Sequence, residues 1–181
     1  YPVAVKPAHG VSASGVRRVD SVDQLGEAVS DALSFDDAVI IEQWIDGVEV
    51  TVPVLGSGWD AYALPPVEIV AKEGFCDTVA CRTPGAVELF APVRPASLSN
   101  DEADAQAIRA EIERAALEVC RAYQVRDLAR VDLVWDGAQA RVLEVDVSPS
   151  LAESSPFSLA CEASGLSLSG VLNELVSQYA R

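Results

Sequence analysis

The stretch LARVDLVWDGAQARVLEVDVSPSL, residues 128–151, predicts a strand, a tight turn and a second strand. Its runs of Val and Leu are typical of a buried hairpin, yet they also contain Asp132, Glu144 and Asp146. Because side chains along a strand alternate between its two faces, Glu144 and Asp146 project from the same face. The Gly-containing turn WDGAQ would bring Asp132 opposite them. The hairpin is therefore predicted to gather three carboxylates in one patch.

Two interpretations of this patch are open. Neighbouring carboxylates repel one another, and burial without a counter-charge would raise their pKa values or destabilise the fold. Their oxygens suit Mg²⁺, which usually takes only one or two carboxylates and keeps its remaining positions for water and nucleotide phosphates. The alternative is a solvated face on which the acids are ordinary surface charges. The spacing of the acids does not decide between the two.

The composition of the chain argues against several classes of protein. Its 181 residues, half of them hydrophobic, suffice for one domain or two closely joined lobes. Thirteen basic and 28 acidic residues give a formal net charge of −15 without a basic cluster, so neither a nucleic acid nor an anionic membrane is expected as a partner. The sequence contains neither an apolar run of roughly 18 residues nor a signal peptide pattern. A cytoplasmic protein is expected.

The cysteines and the start of the chain lead to two further expectations. Cys76, Cys81, Cys120 and Cys161 are scattered, without a CxxC pair or a nearby His, so reduced core thiols are expected rather than a zinc site. The sequence contains no methionine and begins with the strand-like YPVAVKP. We therefore expect it to be a fragment of a longer protein.

Hydrophobic periodicity predicts an α+β fold with an antiparallel sheet. Strands are expected at residues 2–6, 15–19, 60–71 and 86–92, and on both sides of a connector at residues 45–47. Helices are expected at residues 100–123, 156–164 and 169–179. A further helix, with Ser21 as its N-cap, would bury Leu25, Ala28, Val29, Ala32 and Leu33. Residues 71–85 show no period and are predicted to form a long surface loop.

Four segments, in this order and at these separations, resemble the ATP-grasp fold and specifically the D-alanine:D-alanine ligase family: PVAVKPAHGVSASGV (2–16), VIIEQWIDGVEVTV (39–52), LARVDLVW (128–135) and LEVDVSPS (143–150). The similarity covers essentially the whole chain. It implies antiparallel sheets with packed helices and a nucleotide between two lobes. Residues 1–48 would form part of the small lobe with the phosphate loop, and residues 49–181 the large lobe with the metal and substrate sites. An N-terminal domain of the parent would lie outside this chain.

The resemblance implies nucleotide contacts in the first two segments. Lys6 would contact the phosphates, although a Lys at a strand end is otherwise a solvated surface charge. The loop HGVSASG would fold over the phosphates with its backbone N–H groups, as other Gly-rich loops do. It departs from the family pattern, which has Gly in place of Val11 and Ser in place of Ala13. Ser12 matches a serine that contacts the substrate.

The second segment carries the contacts to adenine and ribose that the resemblance implies. Glu42, Gln43, Trp44 and Ile45 would lie along the adenine, mostly through backbone groups. For Trp44 and Ile45, core packing is the other interpretation, and the two are compatible. Glu49 would accept hydrogen bonds from the ribose hydroxyls, a role comparable to that of the acid that holds ribose in dinucleotide sites.

The hairpin matches the metal and catalytic positions of the family. Asp132, Glu144 and Asp146 fall on the ligands of Mg²⁺, with Mn²⁺ as an alternative, and the third ligand is normally Asn. Arg130 matches the arginine that steadies the acyl phosphate and the tetrahedral intermediate; a salt bridge that neutralises the acids is a compatible interpretation. The backbone N–H of Ser150 would lie where a glycine N–H normally helps to form the oxyanion hole.

Two further positions are implied less directly. Ser155, in SLAESSPF, stands in the place of a serine that contacts the substrate carboxylate. In the loop before residue 85, the ligases carry a phosphate-binding Lys followed by a gating Tyr, where this chain has Cys81 and Arg82. Arg82 would supply the positive charge, or it is an exposed loop arginine.

The function that the resemblance implies is that of an ATP-dependent ligase. Such an enzyme phosphorylates an amino-acid carboxylate and lets a second amine attack the acyl phosphate, giving a dipeptide for peptidoglycan biosynthesis. The departures from the family pattern leave two alternatives open: a ligase of different amino-acid specificity, and a nucleotide-binding module without turnover. Amino acids are the expected small-molecule partners, and the parent is expected to be a homodimer. The fragment alone is expected to be inactive.

Overall fold

The computed structural model describes residues 1–9, 13–72, 74–75, 80 and 83–180. The predictions for Val11, Ser12, Cys81 and Arg82 lie outside these residues, as do residues 73 and 76–79 of the loop predicted at residues 71–85. The chain divides into two compact units. The first comprises Tyr1–Asp46 and Val70–Glu88, and the second comprises Gly47–Ile69 and Leu89–Arg181. Their assignment to the small and large lobes of an ATP-grasp fold stays a prediction.

The first unit is built on a three-stranded antiparallel sheet. Its strands are β1 (Val3–Pro7), β2 (Arg17–Val19) and β3 (Val39–Gln43), in the order β2-β1-β3. Helix α1 (Val22–Leu33) covers one face of this sheet. Because strand side chains alternate, every second residue of β1 turns toward α1, and Val5 becomes fully buried.

Helix α1 differs from the sequence prediction in two details. Ser21 occupies the N-cap position, but its side chain makes no capping hydrogen bond. Leu33, predicted on the buried face, is 50% exposed, whereas Ala28 and Ala32 are fully buried. The reason is helical geometry: at about 100° per residue, Leu33 is turned about 80° from Leu25, at the edge of the apolar stripe.

The larger sheet contains the predicted hairpin. Its strands are β4 (Val48–Leu55), β5 (Tyr62–Ala63), β6 (Val67–Ala71), β7 (Val87–Phe90), β8 (Leu128–Trp135) and β9 (Ala140–Asp146). The order is β7-β6-β4-β8-β9, and β5 pairs with β4. A short 3₁₀ helix, Gly58–Asp60, precedes β5. The central strands β4 and β8 pair over eight residues, which holds together the two strands that carry most of the candidate site.

Four helices follow the strands of the second unit or stand between them. They are α2 (Pro95–Leu98), α3 (Glu102–Ala122), α4 (Pro156–Ala163) and α5 (Leu168–Tyr179). Asp101 is the N-cap of α3, and its carboxylate accepts the Asp104 N–H at 3.0 Å. Its buried stripe packs with Val50, Val52, Val131 and Leu133 in one core. Within the described residues, the helices include none that is both long and apolar enough to cross a bilayer.

The two cysteines that the structure describes are both free and buried. Cys120 lies on α3 and Cys161 on α4. They match the expected core thiols, while Cys76 and Cys81 lie outside the described residues.

Candidate functional site

The candidate site lies on one face of three neighbouring strands. Across β4, β8 and β9, Thr51 is opposite Asp132, and Asp132 is opposite Glu144. Arg130 is opposite Asp146 in the same hairpin. Residues that face one another across strands, or that follow at intervals of two, share a face of the sheet. The opposite face carries the valines and leucines that pack beneath α3, so the polar side chains lie on the face that does not contact this core.

A bulge preserves this arrangement at the end of the hairpin. Between Asp132 and Leu133 the register shifts, so that Leu133 pairs with Val142 and Leu143 is the extra residue. A single extra residue reverses which face the following side chains occupy. In a regular strand Val142 and Glu144, two residues apart, would share a face. Because of the bulge, Glu144 and Asp146 instead share the face of Asp132.

Arg130 stands among the three acids of the hairpin. Its Nη2 lies 2.9 Å from Asp132 Oδ2, 3.5 Å from Glu144 Oε1 and 3.6 Å from Asp146 Oδ2. The structure therefore brings together the acids that the alternation predicted to converge, with a counter-charge among them. The Nε of Arg130 is buried and has no hydrogen-bond partner within the part of the chain that the structure describes.

The carboxylate of Asp132 is held from two sides. Arg130 donates to Oδ2, and the hydroxyl of Thr51 donates to Oδ1 at 2.5 Å. Asp146 is also fixed locally, because its Oδ1 accepts the N–H of Ser148 at 2.9 Å. Sequence reasoning missed Thr51. Its position two residues after Glu49 placed it on the same face, but the contact with Asp132 depends on the pairing of β4 with β8.

Glu49 adds a fourth acid near this group. Burial, and after it the negative charges of Asp132 and Glu144, together raise the pKa of its carboxyl to about 7. Among the described residues around Arg130, carboxylates thus outnumber cationic side chains. A bound cation would relieve this repulsion and return Glu49 to its ionised form.

The carboxylate oxygens of the hairpin are suitable ligands for a divalent metal. No group of three His, Cys, Asp or Glu among the described residues is arranged to hold a metal ion. Mg²⁺ needs only one or two protein carboxylates, since water and phosphate oxygens complete its octahedron. Pairs drawn from Asp132, Glu144 and Asp146 therefore fit Mg²⁺ as partial ligands.

In the first unit, Lys6 pairs with Glu42. The Lys6 Nζ lies 2.7 Å from Glu42 Oε1, and the Lys6 side chain is only 18% exposed. Strands β1 and β3 place both side chains on the same face of the small sheet, because Ala4 is opposite Glu42 and Lys6 is opposite Ile40. Lys6 is therefore not the freely solvated charge of the alternative interpretation.

The segment predicted to contact adenine is fixed by contacts of Trp44. Its Nε1 donates to Asp46 Oδ1 at 2.9 Å, and the Arg18 guanidinium lies 5.1 Å from the centre of its ring. The ring of Phe75 meets it edge to face at 4.9 Å between centroids. Trp44 and Ile45 are half-buried and Gln43 is exposed. Packing and an adenine contact stay compatible for this segment.

Two serines from the sequence predictions lie after β9. Ser150 is exposed. Ser155 is almost completely buried as the N-cap of α4, where its hydroxyl oxygen accepts the Ser158 N–H at 3.2 Å. The Ser158 hydroxyl in turn donates to the carbonyl of Ala152 at 2.7 Å. These bonds give Ser155 a structural role at the start of α4, and its contact with a substrate stays a prediction.

Known proteins resemble this chain along its whole length. Two curated relatives are the D-alanine–D-alanine ligases of Alcanivorax borkumensis, 34% identical over 177 residues, and Hydrogenovibrio crunogenus, 33% identical over 178 residues. The alignments cover 97% and 98% of this chain and 53% of each relative. The chain thus spans about half the length of the curated relatives it matches.

Solved structures agree with the sequence relatives. The VanG D-Ala:D-Ser ligase from Enterococcus faecalis superposes with a TM-score of 0.81 at 27% identity, over 99% of this chain and 50% of that one. A D-alanine–D-alanine ligase from Bacillus anthracis gives a TM-score of 0.77 at 25% identity, over 98% and 54%. These likenesses confirm the predicted ATP-grasp fold of mixed helices and antiparallel sheets.

A family model described as D-ala D-ala ligase C-terminus matches residues 1–177. The match includes both units and every strand of the candidate site. Together with the sequence relatives, it confirms the resemblance found in the four segments. The chain belongs to the D-alanine:D-alanine ligase C-terminal family.

Proposed function

We propose that this chain is the ATP-binding and catalytic part of an ATP-dependent ligase that joins two amino acids through an acyl phosphate. The observation that carries the proposal is the group formed by Arg130, Asp132, Glu144 and Asp146 on one face of the sheet. The relatives of this chain by sequence are D-alanine–D-alanine ligases, which supports D-alanine as the substrate. The ATP-grasp fold supports ATP as the nucleotide.

In this proposal the hairpin neutralises the charge of the reacting phosphate. Asp132, Glu144 and Asp146 would supply one or two ligands to Mg²⁺, or to Mn²⁺ as an alternative, and the metal would offset phosphate charge when bound. Arg130 already has a guanidinium nitrogen beside these acids. From there it would donate to the oxygens of the acyl phosphate and of the tetrahedral intermediate. The N–H of Ser150 would add a donor to the same developing charge.

The remaining contacts would bind the nucleotide and the amino acids. Lys6 would donate to the phosphates, either while its ion pair with Glu42 persists or after that ion pair opens. Glu42, Gln43, Trp44 and Ile45 would contact adenine, with Arg82 adding positive charge at the phosphates. Glu49 would accept from the ribose hydroxyls, most effectively as a carboxylate, which a nearby metal would favour. Ser12 and Ser155 would contact the amino-acid substrates.

A second candidate differs only in the amino acid used. One solved relative is a D-Ala:D-Ser ligase, and the chain departs from the family's usual residues at Asp146 and Ser150. A ligase that accepts D-serine as its second substrate is therefore the runner-up. For either ligase we propose a cytoplasmic location, since ATP and free amino acids are both available there. We propose that the parent protein is a homodimer.

The test is amino-acid-dependent formation of ADP by the full-length protein. ADP release would be measured with ATP and Mg²⁺ alone and then with D-alanine, D-serine, L-alanine or mixtures, and the products separated by mass. We expect D-alanyl-D-alanine, and the variant Arg130→Ala should lose ligation while it still binds nucleotide. Product only with D-serine would support the runner-up. Nucleotide binding without ADP formation for any amino acid would refute both ligases and leave a binding module.

A further inference from the structure

We infer that Thr51 is a positioning residue that fixes the carboxylate of Asp132 in the orientation needed to bind a divalent metal. The inference rests on the proposed function, because it concerns Asp132 as a metal ligand. It adds a residue on a strand remote in sequence, which neither the motif pattern nor the likeness to known ligases assigns.

The geometry leaves the Asp132 side chain little freedom. Thr51 on β4 lies directly opposite Asp132 on β8, and its hydroxyl donates to Oδ1 at 2.5 Å. Arg130 donates to the other oxygen, Oδ2, at 2.9 Å. Because the two donors come from different strands and reach different oxygens, they set the rotation of the carboxylate plane. Each oxygen keeps a further lone pair that a metal ion can use.

Packing alone does not explain a threonine at this position. Thr51 is 0% exposed and lies between Val50 and Val52, which are equally buried. A valine has nearly the same shape and would bury an additional methyl group in place of the hydroxyl. The buried hydroxyl is tolerated because it has a charged partner, and that partner is the proposed metal ligand.

The expected consequence is a large effect on metal affinity with a small effect on folding. Carboxylates that bind metals are themselves held by hydrogen bonds, and loss of such a bond typically weakens metal binding by about 10- to 100-fold. Substitution by valine would leave Oδ1 without its donor and let the carboxylate turn toward Arg130. Substitution by serine would retain the hydroxyl and with it the orientation.

The experiment measures Mn²⁺ binding to the full-length protein in the presence of ADP, by electron paramagnetic resonance of free Mn²⁺. We expect Thr51→Val to weaken binding by about 10-fold or more, and Thr51→Ser to stay within about twofold of the wild type. Asp132→Ala, which removes the ligand oxygens, serves as the reference and should weaken binding more than any Thr51 variant. Thermal unfolding without metal checks that each variant is folded, and Thr51→Ala is a second variant without the hydroxyl if Thr51→Val does not fold.

The outcomes separate the inference from the function on which it rests. If Asp132→Ala weakens Mn²⁺ binding while both variants without the hydroxyl bind it as well as the wild type, the role of Thr51 is refuted and the metal site stands. If Thr51→Ser loses affinity as fully as Thr51→Val, the hydroxyl is not what matters, and the inference is also refuted. If Asp132→Ala binds Mn²⁺ normally, Asp132 is not a ligand, and its role in the metal site and the inference fail together.

Discussion

Replacing Glu49 by glutamine should stabilise the metal-free protein at neutral pH. The carboxyl of Glu49 has its pKa raised to about 7 by burial and by the negative charges of Asp132 and Glu144. The folded state therefore holds a proton between about pH 4.5 and pH 7 that the unfolded chain has released. Stability contributed by the protonated form is present below this window and is lost as the pH rises through it. Glutamine carries no charge at any of these pH values, so the variant avoids the loss.

The size of the effect follows from the same pKa. A rise from 4.5 to about 7 corresponds to about 3 kcal/mol of unfolding free energy, because each pKa unit is worth about 1.4 kcal/mol. Glu49→Gln should thus unfold like the wild type near pH 4 and be more stable by about 3 kcal/mol at pH 7. A divalent metal bound beside Glu49 would lower its pKa and shrink the difference.

The assay is urea unfolding of both proteins at intervals from pH 4 to pH 8, with a chelator present. Glu68→Gln is the matched control, because Glu68 is also a buried glutamate of the second unit. Burial raises the pKa of Glu68, but hydrogen bonds from Arg94 and Ser97 and the Arg94 charge outweigh it and lower the pKa below its ordinary value. Glu68→Gln should therefore lose stability at pH 7. A Glu49→Gln difference that stays flat between pH 4 and pH 8 would contradict the reasoning.

Two substitutions test the packing that supports the site. A Cβ at Gly47 would clash with the backbone carbonyl of Trp135, so Gly47→Ala should lower the unfolding free energy by about 1 to 3 kcal/mol. Gly26 lies on a helix with open space around it, so Gly26→Ala should instead raise the unfolding free energy by up to about 1 kcal/mol. A loss of stability in both variants would show that the clash at Gly47 is not the cause. Arg94→Met removes the charged partner of Glu68, a side chain that is only 3% exposed and accepts from Arg94 at 2.7 and 2.9 Å. The substitution should therefore cost about 3 kcal/mol at pH 7, measured by thermal or urea unfolding. The cost should fall when the pH is low enough to protonate Glu68, and a cost independent of pH would argue for lost packing instead.

Much of the fold could be predicted from local patterns. Alternation gave the hairpin with its acids on one face, and the 3.6-residue period gave α3 within two residues of its observed ends at Glu102 and Ala122. The prediction for Leu33 was wrong because it stands at the edge of the helical stripe, where periodicity discriminates poorly between buried and exposed positions. The bulge at Leu143 could not be predicted, since an extra residue in one strand is defined only against its partner.

The sequence by itself determined that Glu144 and Asp146 share one face of the hairpin, because side chains along a regular strand alternate with a period of two. It also determined the family, through four motifs in register. Only the tertiary structure decided the environment of those side chains. Thr51 and Asp132 are 81 residues apart in the chain, and their hydrogen bond exists because β4 pairs with β8. The raised pKa of Glu49 likewise comes from burial and from charges on other strands, which act through space rather than along the sequence.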